Sequence, residues 1–379
     1  ETWIVGSDLT SKLSSNTSWR GLFFFSRTSP TNNYLAGVTR DSAAPIPSLK
    51  GRAFANWLDY TLGKGKLTLF YQEIDKDFLA QGIPDNLNGK DVAFLKQEAG
   101  TKKFGVGYQS SALSLSFTHQ AVDPQTRGDQ GVAREKGITK QIISGQMKLS
   151  DSLSLSTVYK SATDGKGEGK LRQIELKGSN NEFLRLTQQS ITPDFLRGKD
   201  LNEPEAGIWA KEIGVSRNVL ELSKNLLPNI NLNLSQTRIR DEKDGIERGK
   251  LNLKGKNFSL SISNQEVGRD FARFGNLAEP DAGQLAKEKG LARKTIEGSF
   301  NFSPKLQTSF GIASLLDGKE GWKGNSLQLN SDKWQISFYK SQFSEGFKRF
   351  GDLTDPEKKR FANEWGIKKS LLNGSFKLD

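Results

Sequence analysis

Histidine occurs once in 379 residues, at His119, and cysteine does not occur at all. A nucleophilic triad or a metal cluster would have to be assembled around that single imidazole, and thiolate sites and disulfides are excluded. His119 follows Phe117 and Thr118 in an alternating segment and reads as an ordinary strand residue. The densest run of oxygen ligands is Asp241-Glu242-Lys243-Asp244-Gly245-Ile246-Glu247. It lacks the spacing to a closing carboxylate that a calcium loop needs, and a lysine stands inside it. Asp164-Gly165 and Asp317-Gly318 are explained by hairpin turn chemistry. Gly63-Lys64-Gly65-Lys66 is a turn, because no helix follows to make it a phosphate loop. No catalytic, cofactor-binding or metal-binding residue is assigned, and no cofactor is expected. A carboxylate-pair hydrolase is the enzymatic alternative, since such chemistry needs only two acids.

The most distinctive group is a repeated aromatic-basic element. Phe271, Arg273, Phe274 and Gly275 return as Phe347, Arg349, Phe350 and Gly351, and a looser copy begins at Phe195. The acid-proline pairs that follow end at Pro204, Pro280 and Pro356, two intervals of 76 residues. A fixed long period means one supersecondary unit copied along the chain. Recurrence favours a structural joint over a unique site: the aromatics are expected beneath a short helix, Phe274 and Phe350 buried beside Leu277 and Leu353. Arg273 and Arg349 are expected at the edge, reaching an acid such as Glu279 or Asp355.

The elements that must position this joint are legible from periodicity. In the copy from Gly290 to Gly366, four segments alternate apolar and polar residues at period two, the mark of pleated strands. A helix follows, with Pro356 at its first position, Asp355 as cap and Gly366 as its left-handed stop. Pro356 to Trp365, Pro280 to Lys289 and Pro204 to Ile213 each predict ten helical residues, too few to be stable undocked. The chain therefore divides into irregular strands over 1–99, a half repeat over 100–137, and full repeats over 138–214, 215–290 and 291–366. Residues 367–379 read as the opening of a further, truncated repeat.

The predicted fold is all-β: an antiparallel meander of about 76-residue repeats, each with four strands and one short helix, with about nineteen strands in total. Short turns such as Ser150-Asp151, Ser303-Pro304-Lys305 and Ser331-Asp332 fall at one end of the strands. Wider connections, Thr163 to Gly169, Asp241 to Gly249 and Asp317 to Gly321, fall with the helices at the other. That asymmetry, with no apolar stretch near the ~18 residues of a spanning helix, predicts a large barrel of the outer-membrane type. Phe258, Leu260, Ile262, Trp334, Ile336 and Phe338 are the candidates to face lipid, their Ser and Gln neighbours facing the other way. The alternative is an open extracellular β-repeat array, a surface layer, filament or adhesin binding polyanionic glycans, with the helices covering the apolar face.

The net charge of +12 is dispersed in pairs such as Lys102-Lys103 and Lys368-Lys369 rather than massed. No recognition helix or RNP-like motif accompanies it, so nucleic acid is not an expected partner. The expected partners are a lipid bilayer, lipopolysaccharide and other envelope subunits. The expected role is structural and non-enzymatic, as scaffold or pore of a bacterial outer membrane, with the cell surface as the alternative location.

Overall fold

The computed structural model describes residues 2–28, 49–78, 98–126, 131–361, 363–364 and 366–376. Among these residues the chain forms nineteen strands in one antiparallel sheet. The first seven are β1 Thr2–Lys12, β2 Thr17–Thr28, β3 Leu49–Leu62, β4 Gly65–Ile74, β5 Thr101–Gln109, β6 Leu113–Val122 and β7 Thr139–Ser150. The next six are β8 Leu153–Thr163, β9 Glu168–Lys177, β10 Phe183–Ile191, β11 Ser216–Leu227, β12 Ile230–Arg240 and β13 Gly245–Lys254. The last six are β14 Phe258–Val267, β15 Leu291–Ser303, β16 Leu306–Asp317, β17 Glu320–Ser331, β18 Trp334–Phe343 and β19 Lys368–Phe376. Two compact units share the chain, one mainly Glu1–Leu149 with Ser156–Leu171 and Asp194–Ala210, the other mainly Arg172–Pro193 and Lys211–Asp379.

In the second unit each strand from β10 to β19 pairs antiparallel with the next, so side chains directly opposite share a face. One transverse row runs Leu232, Leu253, Leu260, Gly298, Phe310, Leu327, Phe338 and Leu372, partner to partner. Neighbouring rows on that face carry Ile262, Ile296 and Ile312, and Phe258, Phe300, Leu329 and Ile336. The opposite face carries Ser259, Ser299, Ser309, Gln328 and Ser337 in one row, with Ser259 and Ser299 sharing a 2.7 Å hydrogen bond. Thus Leu, Ile and Phe on one parity and small polar residues on the other give the sheet two unlike faces.

The helical connections pack on the polar face, not on the apolar one. Near the loop end of the strands the polar parity changes to Val215, Ile239, Ile246 and Val267, all at most 1% exposed. Phe271, Phe274, Leu277 and Leu285 from the β14–β15 connection bury themselves against these four. The β18–β19 connection repeats the arrangement, with Phe347, Leu353 and Phe361 on Leu291, Leu315, Trp322 and Phe343. The opposite, apolar parity stays open: Phe300, Phe310, Ile312, Leu327 and Leu372 are all exposed, Leu372 to 73%. This is the reverse of the array alternative, which places the helices over the apolar face.

The first unit also has one covered and one open parity. Trp3, Val5 and Phe25 lie exposed on one parity of β1–β2, while Leu22, Phe24, Ala53, Ala55 and Ile74 on the other bury Phe78 of the β4–β5 connection. His119 sits on the apolar parity of β6, opposite Phe104 and Gln141.

Three expectations need correction. The helices are shorter than ten residues: Ala206–Lys211 and Ala282–Lys287 have six and Asp355–Phe361 has seven. Each follows a 3-10 turn, Gly198–Asp200, Phe274–Asn276 or Phe350–Asp352, and the chain divides its compaction between the two pieces. Pro204 and Pro280 fall in the turn before the helix, Asp355 is the first helical residue rather than its cap, and Trp365 lies outside the described residues. Second, the wider connections are tight. β16 and β17 are joined by Gly318-Lys319 alone, and Asp164 and Asp241 close four-residue turns by accepting backbone N–H groups two and three residues on. Alternation continues through residues assigned to loops because the strands extend to the turn itself. Third, the first ninety-nine residues are as regular as the rest where described, with four long strands.

Candidate functional site

The joint is held by a carboxylate clamp that recurs at the helical connections. Its sequence form is Glu-x-Gly-x-x-Lys/Arg: Glu98/Gly100/Lys103, Glu135/Gly137/Lys140, Glu212/Gly214/Arg217, Glu288/Gly290/Arg293 and Glu364/Gly366/Lys369. All five glycines have φ between +69° and +78°, where a Cβ is strained, so glycine is required to turn the chain from connection into strand. The N–H of Gly100, Gly137, Gly214 and Gly290 donates to the carbonyl of the last residue of the preceding strand, Ile74, Val122, Ile191 and Val267 respectively. The turn thereby aims the glutamate at the polar face.

There the glutamate meets donors from several directions. The Glu288 carboxylate, 3% exposed, accepts from Gln265 Nε2 at 2.7 Å, Gln284 Nε2 at 2.7 Å, Arg293 Nη2 at 2.9 Å and Arg293 Nε at 3.1 Å. Gln265 lies on β14 and Arg293 on β15, so one carboxylate ties two strands and the helix between them. Glu135 receives Gln120 and Lys140, and Glu212 receives Gln189 and Arg217, in the same way. Ser341 takes the glutamine's place at Glu364.

The cation then reaches a second acid, supplied by the next connection. Arg217 also binds Glu279, Arg293 also binds Glu357, and Lys140 also binds Glu203 at 3.2 Å. Successive connections are therefore latched to one another. Burial raises the proton affinity of Glu203, Glu279 and Glu357, but the facing lysines or arginine outweigh it and hold all three below the ordinary glutamate range.

Phe271 and Phe347 are 0% and 1% exposed; Phe274 is 8% exposed and Phe350 is half-buried. In each pair the first aromatic is the deeper anchor, and the rings meet edge-on at centroid distances of 4.8 and 5.7 Å. Leu277 and Leu353 lie beside them at 0% and 2%. Gly275 and Gly351 have open space around them, so a Cβ there would meet nothing. The arginines differ from expectation. Arg273 donates to the carbonyl of Ile213, and Arg349 to the carbonyls of Lys287 and Lys289. Each thus caps the residue before the left-handed glycine of the preceding clamp, where an orphan carbonyl needs a donor. Glu279 pairs with Arg217 instead, and the acid that meets Arg349 is Asp352.

The sequence reasoning missed the clamp, although the signal was present. The glycines at 137, 214, 290 and 366 mark the period, and each has an acid two residues before it and a base three after. The six residues expected to face lipid split modestly in exposure: Ile262 and Phe338 are 37% and 39% exposed, and Phe258, Leu260, Trp334 and Ile336 are half-buried against same-face neighbours. Among the described residues no group of acids and histidine is arranged to hold a metal ion. Asp241, the best oxygen donor of the calcium-like run, is consumed by the N–H groups of Lys243, Asp244 and Ala272; burial pushes its pKa up, but these donors pull it lower overall.

No protein-family model matches the chain, and no curated protein matches it. Among solved structures, similarity is found to OpdQ of Pseudomonas aeruginosa, with 8% identity, 86% of this chain and 91% of that chain covered, and a TM-score of 0.26. A BenF-like porin from Pseudomonas fluorescens Pf-5 gives 12%, 86%, 92% and 0.24 for the same quantities. OccAB4 of Acinetobacter baumannii gives 10%, 90%, 90% and 0.25. Superpositions this loose carry no weight for fold or role, which rest on the chain's own residues.

Proposed function

We propose that the protein is a structural, non-enzymatic β-barrel of a bacterial outer membrane, acting as scaffold or pore. The observation that carries this reading is the distribution of cover over the two sheet faces. The helical connections of the β14–β15 and β18–β19 cores pack on the polar face, while the row from Leu232 on β12 to Leu372 on β19, Leu and Phe throughout save Gly298, has Phe310, Leu327, Phe338 and Leu372 exposed. A water-soluble sheet buries its apolar face first, because each buried Leu or Phe contributes about 1.5–3 kcal/mol. An uncovered apolar face of this extent calls for an apolar solvent, and three rows two residues apart span about 14 Å between the outer backbone positions, within the ~25 Å apolar band of barrel proteins. Closure of the sheet removes its edges. The polar parity, with serines, asparagines and the latched connections, then faces the interior.

The carboxylates brought together by the fold support the absence of enzymatic chemistry. Each pair flanks a cation, and Arg217 and Arg293 hold the proton affinity of Glu279 and Glu357 down against their burial, whereas a general acid needs the opposite shift. The reading is tested by handling the full-length protein without detergent. It should aggregate in plain buffer and become monodisperse on transfer to detergent micelles. A monodisperse, folded protein in plain buffer overturns the proposal and returns the extracellular array.

A further inference from the structure

Toward the loop end of the strands the apolar face stops at a line of cations. Lys294, Ser314, Lys323, Gln342 and Lys368 are successive partners across β15–β19 and so form one row on that face. Lys340 lies on the same face two residues from Phe338, continuing through Asn325 the row of Ile262, Ile296 and Ile312, and Lys294 is two residues from Ile296. All four lysines are exposed, and none forms an ion pair with an acid among the described residues. Their surroundings make this unusual. On β12 and β13 the same face neutralises Arg238 with Glu247 at 2.6 Å, and on the polar face Arg217 and Arg293 each hold two carboxylates.

We infer that this lysine edge binds an anionic lipid carrying more than one phosphate on a single headgroup and several acyl chains. The chains would lie on the apolar rows below. The inference rests on the reading of the apolar face as lipid-facing. Neighbouring strands are about 4.8 Å apart, so Lys294 to Lys323 and Lys323 to Lys368 are each about 10 Å, with Lys340 about 7 Å below their row. Lysine stems extend along apolar surface and place the ammonium at the headgroup level, so two or three of these cations converge on one large headgroup. A lipid with one phosphate neutralises one of them. A second phosphate on the same headgroup binds as an intramolecular event at high effective concentration, which selects the polyphosphorylated lipid.

The test uses the full-length protein in a neutral detergent, titrated with diphosphoryl lipid A, monophosphoryl lipid A or phosphatidylcholine. The expected result is at least tenfold tighter binding of the diphosphoryl than of the monophosphoryl lipid. A Lys323→Gln/Lys340→Gln/Lys368→Gln variant should lose about a hundredfold in affinity for the diphosphoryl lipid, at about fivefold per lysine near an anionic lipid surface. Lys250→Gln, an exposed cation on the opposite face, should change nothing. Equal binding of the two phosphorylated lipids, or an unaffected triple variant, overturns the inference. Flotation with phosphatidylcholine vesicles separates the two readings: wild type that inserts there without phosphate preference defeats this inference alone. Wild type that fails to insert defeats the membrane reading beneath it. The lysines have no acidic partners among the described residues, so the triple variant should float like wild type; if it does not, Lys323→Gln alone must show the fivefold loss.

Discussion

Replacing Glu288 by Ala tests whether the clamp holds the connections independently of the strands. The substitution removes a carboxylate that is 3% exposed and accepts four hydrogen bonds, and it leaves Arg293 with Glu357 as its remaining acid. Removing one partner of a buried ion pair costs about 3–5 kcal/mol, and the partial exposure of Arg293 and Glu357 places this case near the lower end. The helix Ala282–Lys287 has six residues and little intrinsic stability, so that loss falls on the connection. At about 1.4 kcal/mol per decade, local opening should become roughly a hundredfold more frequent. Hydrogen–deuterium exchange in detergent reads this directly: amides of Leu285 and Gly290 should accelerate by that factor, while the paired amides of β14 and β15 stay protected. Unchanged exchange at Leu285 and Gly290 refutes the clamp. Equal acceleration in β14 and β15 refutes its independence from the sheet.

Acid should release the same latches. Glu279 and Glu357 sit below the ordinary glutamate value when folded, so their stabilisation is present above that value and is lost as pH falls through the folded one. Protease sensitivity of the β14–β15 and β18–β19 connections should therefore stay flat at neutral pH and rise below about pH 4.5; a rise already at pH 6 would contradict the assignment. Phe347→Ala removes a side chain that is 1% exposed and should cost about 3–5 kcal/mol, seen as a loosened β18–β19 connection with intact strand circular dichroism. Gly290→Val forces a β-branched residue to φ +75° against the Arg269 side chain and should destabilise the same connection as Glu288→Ala, by about 1–3 kcal/mol in exchange measurements. Phe310→Arg, in the middle of the three apolar rows, should impair insertion into phosphatidylcholine vesicles by about 2–4 kcal/mol, whereas Ser309→Arg on the polar face of the same strand should not.

Much of the architecture is written locally. Alternation in Phe258 to Asn264 and Trp334 to Phe343 specifies strands, because a pleated chain sends successive side chains to opposite faces whatever its neighbours are. The interval of 76 residues specifies a copied unit for the same reason. Three things lie beyond local pattern. Alternation distinguishes two faces, but which of them the helices cover depends on Ile239, Ile246 and Val267 meeting across strands at the loop end, a register that only pairing sets. The partner of Arg217 is Glu279, sixty-two residues away, and that of Arg273 is a backbone carbonyl sixty residues back. A guanidinium takes whichever acceptor the fold leaves unpaired nearby, and sequence proximity to Glu279 or Asp355 does not decide that. The lysine edge is likewise visible only once β15 to β19 stand side by side, since Lys294, Lys323, Lys340 and Lys368 are scattered along the chain and become one charged border through strand pairing.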